Sequence, residues 1–175
     1  ETDNITEGGT IKTVQLREDF IPVYVRAGAF IPLTDMVQTT EDHRGSDIEL
    51  HYYYDLSISE SKGSLYMDDG KETNPIQKEA YEILGFESKI KQRNLLLNFK
   101  YIKKYNFQRD DLRLKVISGH KKITLIVHNV KSQPKKIKVG REKVQGTYNS
   151  KYKTLTLNVS WDTSTEKEIK IKLNK

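Results

Sequence analysis

Leu155-Thr156-Leu157-Asn158-Val159 alternates between apolar and polar side chains, a period of two that suits a half-buried β-strand. The same period recurs on either side of it. Downstream, Ile169, Ile171 and Leu173 alternate with Lys170 and Lys172. Upstream, Ile137 and Val139, then Ile123, Leu125 and Val127, then Leu112, Leu114 and Val116 repeat it. Further back come Leu95, Leu97, Phe99 and Tyr101, and then Ile48, Leu50, Tyr52 and Tyr54. Each run presents one apolar face and one face of Lys, Asn, Thr or Glu. Turn signals separate the runs: Gly8-Gly9, Asp69-Gly70, Ser118-Gly119, Gly140-Arg141 and Asn149-Ser150. The stretch from Glu79 to Ile90 favours a strand over a helix, because Gly85 and the Tyr81/Ile83 alternation interrupt any helical stripe. Many short alternating strands predict an all-β fold, an antiparallel β-sandwich.

The bulk properties bound the function. A chain of 175 residues without a cysteine folds on its core alone, and disulfides and thiolate metal sites are excluded. No apolar run approaches the roughly 20 residues of a membrane helix, so no membrane partner is expected. The chain opens on Glu1-Thr-Asp-Asn4, with neither a Met nor a leader pattern, which suits a piece of a longer protein. Charge is divided unevenly. Residues 1–88 carry 7 Lys/Arg and 18 Asp/Glu, a net of −11, and residues 89–175 carry 23 and 6, a net of +17. Of those 23 cations 19 are Lys, and the aromatics lie mostly outside the Lys clusters. A Lys-rich solvent face is the plain reading; a polyanion-binding half is the sharper one. Lys lacks the planar fork that reads base edges and no stacking platform is evident, so nucleic acid is not expected as a partner.

One segment breaks the alternation. Phe20 to Leu33 is almost continuously apolar, which predicts burial on both faces. Pro22 and Pro32 belong at strand starts, edges or bends, and Gly28 at a backbone shape that side chains forbid. Thr34 to Ser46 is polar and reads as a connection, with a boundary near residue 44.

Two stretches carry a family resemblance. Ile21-Pro-Val-Tyr-Val-Arg-Ala-Gly-Ala-Phe-Ile-Pro-Leu33 resembles a stretch that follows the catalytic (β/α)8 barrel in glycoside hydrolase family 31. Gly63-Ser-Leu-Tyr-Met-Asp-Asp-Gly-Lys-Glu72 resembles that family's Asp-Asp-Gly hairpin, in the same order. The resemblance implies that residues 1–44 are the remnant of a proximal C-terminal β-domain and residues 45–175 a distal C-terminal β-sandwich. It implies that the barrel, and the catalytic residues with it, lie elsewhere, so that part of the Phe20–Leu33 surface is expected to pack on the sandwich and the remainder to lie open where the barrel would cover it. Thr34-Asp35-Met36 echoes only the middle of the family's nucleophile motif and sits on the wrong side of the first stretch.

The candidate site residues are weighed singly. Asp68, Asp69 and Gly70, with Glu72 nearby, lack the spacing of a calcium loop and read as a turn in which an Asp caps backbone amides. Neighbouring strand residues point to opposite faces, so Asp68 and Asp69 make a poor acid/base pair. Arg26 calls for a partner if buried: a structural ion pair or a contact to the absent barrel. Among His43, His51, His120 and His128 no ligand spacing appears, and all four read as surface residues. Tyr52, Tyr53, Tyr54 and Trp161 are aromatic enough to stack on a sugar, but core or rim packing suits them better. No catalytic, cofactor or metal residue is assigned. Arg26, Gly28, Pro32, Asp68, Asp69 and Gly70 stand as structural motif positions.

Three function classes follow. The first is a non-catalytic C-terminal β-region that buttresses the barrel of an α-glucosidase-type enzyme, with that barrel as partner in cis. Its parent would hydrolyse α-glycosidic bonds with retention, in carbohydrate metabolism, in a periplasmic or extracellular setting if the source is a glycan-degrading bacterium. The second is a carbohydrate-binding module with an oligosaccharide partner. The third is a polyanion-binding domain.

Overall fold

The computed structural model describes residues 5–39, 42, 45–68, 70, 73–103 and 119–174. Eleven strands are present among them: β1 (Phe30–Leu33), β2 (Asp47–Tyr53), β3 (Glu60–Asp68), β4 (Tyr81–Lys91), β5 (Asn94–Lys103), β6 (His120–His128), β7 (Lys136–Val139), β8 (Glu142–Val144), β9 (Thr147–Asn149), β10 (Thr154–Asp162) and β11 (Lys167–Lys172). The expected strand over Leu112, Leu114 and Val116 lies outside the described residues. A five-stranded sheet runs β1-β2-β6-β10-β9, and a six-stranded sheet runs β3-β4-β5-β11-β7-β8.

The alternation explains why these sheets face each other. Ile48, Leu50 and Tyr52 of β2, Ile123, Leu125 and Val127 of β6, and Leu155, Leu157, Val159 and Trp161 of β10 turn one way. Leu84 and Phe86 of β4, Leu95, Leu97 and Phe99 of β5, and Ile169 and Ile171 of β11 meet them in one core. Rings cross the gap: Phe99 lies 5.9 Å from Trp161, and Phe86 lies 5.9 Å from Phe30. Each fully buried Leu or Ile contributes about 1.5–3 kcal/mol of transfer free energy. The whole is an all-β sandwich.

One pairing departs from the antiparallel expectation. β2 and β6 run parallel, with Leu50 opposite Leu125 and Tyr52 opposite Val127. Parallel neighbours need a long crossover. Here the chain passes through β3, β4 and β5 of the other sheet before returning as β6.

Phe20 to Leu33 is not buried on both faces throughout; it divides as expected for a segment part packed on the sandwich and part left open. Only Phe30–Leu33 is a strand. Ile21 is 81% and Val23 76% exposed, and Phe20 and Tyr24 are exposed as well. The apolar run lacks cover from the described residues except at its end, where Phe30 enters the core at 8% exposure. β1 pairs antiparallel with β2, Phe30 opposite Tyr52, so this ladder spans the position near residue 44.

Candidate functional site: the approach to β1 and its hairpin

The two stretches that carry the resemblance pack on one another. Gly63 of β3 faces Phe30 so closely that a Cβ there would sit 2.9 Å from the Phe30 Cβ. Phe30 also packs against the Tyr52 ring, centroids 4.7 Å apart and planes tilted by 37°. Gly28 is buried with φ +77, and a Cβ on it would meet Ile58 Cγ2 at 2.8 Å and Ser61 Cβ at 3.2 Å. Its N–H donates to the Tyr53 carbonyl at 2.7 Å, and the Tyr53 N–H donates to Ala29 O at 3.1 Å. A chain of hydroxyls closes the junction: Tyr52 donates to Ser88 Oγ at 2.9 Å, and Ser61 Oγ lies 2.7 Å from Ser88 Oγ. Burial raises the Tyr52 phenol above its ordinary value.

Leading into this junction is a strip of exposed side chains. Phe20, Ile21, Val23 and Tyr24 lie open, and Val25 is half-buried. Arg26 is exposed, so the burial that would demand a counter-charge is not met in this chain. Pro32 lies in β1, at the edge of the five-stranded sheet, where its missing N–H costs no internal ladder bond.

The hairpin turn uses Asp68 fully. Its Oδ1 accepts from the Gly70 N–H at 2.9 Å and its Oδ2 from the Tyr66 hydroxyl at 2.8 Å. Gly70 has φ +65. Asp69 and Glu72 lie outside the described residues, as does His43. Among the described residues no group of three or more Asp, Glu or His is arranged to hold a metal ion.

The aromatic candidates divide by parity. Tyr52, Tyr54 and Trp161 are buried, and Trp161 donates its indole N–H to Thr165 O at 2.7 Å. Tyr53 is on the outer face, stacked flat against His128 at 4.3 Å. The described aromatic with an exposed ring beside the hairpin is Tyr66, stacked on Tyr81 at 5.3 Å.

Two polar clusters escaped the sequence reading. The first joins the sheets: Lys121 Nζ, 0% exposed, donates to Glu82 Oε1 at 2.7 Å and to Gly45 O at 3.1 Å. The Tyr101 hydroxyl donates to the other oxygen of Glu82. Burial, aided by the Glu82 charge, pushes the Tyr101 phenol well above its ordinary value; burial pulls the Lys121 ammonium down against the pull of Glu82. Parity was the available signal, since Lys121 shares the inward phase of Ile123 and Glu82 that of Leu84. The second cluster corrects the picture of isolated surface histidines. His51 Nδ1 lies 2.8 Å from His128 Nε2, and His51 Nε2 lies 2.7 Å from Glu49 Oε1. The parallel register of β2 on β6 brings them together, and no spacing in the sequence announces it.

No protein-family model matches the chain. Among solved structures, the chain is similar to a GH31 dextranase of Flavobacterium johnsoniae in its glucose complex, at TM-score 0.68 and 16% identity, over 85% of this chain and 19% of that one. The same dextranase as a mutant with isomaltotriose matches equally. An α-1,4-glucan lyase of Gracilariopsis lemaneiformis matches at TM-score 0.56 and 15% identity, over 84% of this chain and 16% of that one. At these identities the likeness is one of fold. The chain spans less than a fifth of the length of each of these proteins.

Proposed function

We propose that this chain is the non-catalytic C-terminal β-region of an α-glucosidase-type glycoside hydrolase, buttressing a catalytic barrel carried elsewhere in the parent protein. The observation that carries this reading is the exposed apolar strip Phe20, Ile21, Val23 and Tyr24, continuous with the sandwich at Gly28 and Phe30. A solvated loop gains nothing from such residues, and contiguous apolar surface marks a docking face. The fold likeness to parts of much longer carbohydrate-active proteins supports the same reading. So does the packing of the two resembling stretches against each other through Phe30 and Gly63.

Two carboxylates are taken up by structural contacts, which supports a non-catalytic reading: both oxygens of Asp68 are engaged by its own hairpin, and Glu82 is held by Lys121 and Tyr101. Chemistry in the intact parent then belongs to the barrel, and this region supplies stability. The test is hydrolysis of a nitrophenyl α-glucoside by the intact parent and by this chain alone. Activity confined to the parent supports the reading. Turnover by the purified chain that is lost on mutating Asp68 overturns it.

A further inference from the structure

The outer face of the six-stranded sheet gathers lysines from strands far apart in sequence. β7 pairs with β11 so that Lys138 lies opposite Lys170 and Lys136 opposite Lys172. β8 adds Lys143 opposite Lys138. Across β5 the same rungs continue through Leu96 to Lys89 and through Asn94 to Lys91. The buried Ile137, Ile169 and Ile171 alternate with these lysines, which places the ammonium groups on the solvent side. Lys170 contacts Glu168 at 2.8 Å and Lys89 lies 3.8 Å from Glu60. Lys91, Lys136, Lys138, Lys143 and Lys172 have no carboxylate of the described residues within ion-pair distance.

This arrangement works against the fold. Like charges directly opposite one another on neighbouring strands destabilise a sheet, and Lys is a poor strand residue. Lysines on an edge strand guard against aggregation, which accounts for Lys143 on β8. That account does not extend to Lys170 and Lys172, because β11 lies inside the sheet between β5 and β7.

We propose that this face binds an anionic polysaccharide, its sulfate or carboxylate groups laid across the two lysine rungs. Strands about 4.8 Å apart set the lysines at a spacing comparable with the repeat of single sugar units. Asn94 sits between Lys172 and Lys91 in its rung, an amide suited to a sugar hydroxyl. An open groove lined by Gln133, Lys135, Lys136 and Gln145 adjoins the β7 end of the rungs and offers more amides. The paired rung positions contain no aromatic ring and no Arg, which disfavours a stacked single-stranded nucleic acid. The proposal is independent of the buttressing role, and its test needs no barrel.

The test uses the full chain and two variants that lose equal charge. One is Lys136→Gln/Lys138→Gln/Lys170→Gln/Lys172→Gln; the control is Lys12→Gln/Lys122→Gln/Lys131→Gln/Lys151→Gln, exposed lysines that lie off the outer face of the six-stranded sheet. The probes are heparin, polygalacturonate and single-stranded DNA of matched charge, titrated near 0.15 M salt and above. Unfolding midpoints first establish that both variants fold, and relief of the opposed charges keeps the rung variant at least as stable as the parent chain. The expected result is binding of a glycan that the rung variant weakens on the order of tenfold, with a shallower salt dependence, while the control stays near the parent chain. Equal weakening in both variants reduces the effect to net charge and overturns the proposal. Tighter binding of DNA than of either glycan, or no glycan binding by the parent chain, overturns it too.

Discussion

Gly63 and Gly70 belong to one motif, yet they resist substitution for different reasons. A Cβ on Gly63 would press on the Phe30 Cβ at 2.9 Å, inside the core junction. A Cβ on Gly70 would meet nothing within 4 Å, but its φ of +65 penalises any β-branched residue. Gly63→Val is therefore expected to cost about 1–3 kcal/mol by overpacking, and Gly70→Val about 1–2 kcal/mol by backbone strain. The difference shows when Phe30→Gly is added, which removes the opposing Cβ together with the ring. It makes room beside residue 63 and lessens the Gly63→Val penalty, while leaving the Gly70→Val penalty unchanged. Urea midpoints of the single and double variants measure this, and equal coupling at both sites would refute it.

The buried tyrosines set a sign for alkaline stability. Burial holds the phenols of Tyr52, Tyr54 and Tyr101 above their ordinary 10.0, so the folded chain keeps protons that the unfolded chain releases. Stability contributed by these groups is full below pH 10 and falls as pH rises beyond it. Lys121 acts in the opposite sense below its ordinary 10.5, so the decline is read above that value. Tyrosinate absorbance rising together with loss of the β signal is the expected outcome. Full ionisation of all tyrosines in a still-folded chain would contradict it.

At the scale of elements, the Lys121–Glu82 pair ties β6 of one sheet to β4 of the other. Glu82→Gln leaves a buried ammonium without its counter-charge and should destabilise by about 3–5 kcal/mol. Lys121→Met/Glu82→Leu removes both charges and should recover much of that loss, leaving the Tyr101 hydroxyl as the residual cost. A double variant no more stable than Glu82→Gln would show that the pair itself supplies net stability.

Much of this sandwich was legible in the sequence, because alternation states which face of a strand is inside. Ile123, Leu125 and Val127, and likewise Leu155, Leu157 and Val159, fall in the core at that phase. Alternation does not state which strand is the neighbour, so the parallel β2–β6 pair was not foreseen. With it were missed the His51–His128 contact and the lysine rungs, both products of register. Lys121 and Glu82 were missed for another reason: charged residues at inward phase read as polar until both are seen on one cluster. The run from Phe20 to Leu33 was read by composition as buried. Composition reports an affinity for cover, and within this run the described residues bury only Gly28 and Phe30 fully.

For the whole molecule, the exposed strip makes removal of residues 1–24 informative. The deletion spares Gly28 and β1, so the unfolding midpoint should stay within about 0.5 kcal/mol of the parent chain. Binding of an apolar dye should fall, because Ile21, Val23 and Tyr24 leave with it. A large loss of stability would instead make the strip part of this sandwich's own packing.

The central claim is that this chain docks on a catalytic barrel through the strip that leads to β1. It is tested most directly by producing the remainder of the parent protein separately and titrating it with this chain. The account predicts a one-to-one complex that raises the barrel's thermal stability and is abolished by Ile21→Asp/Val23→Asp, with the sandwich of that variant still folded. Absence of a complex, or a complex indifferent to Ile21 and Val23, would contradict it.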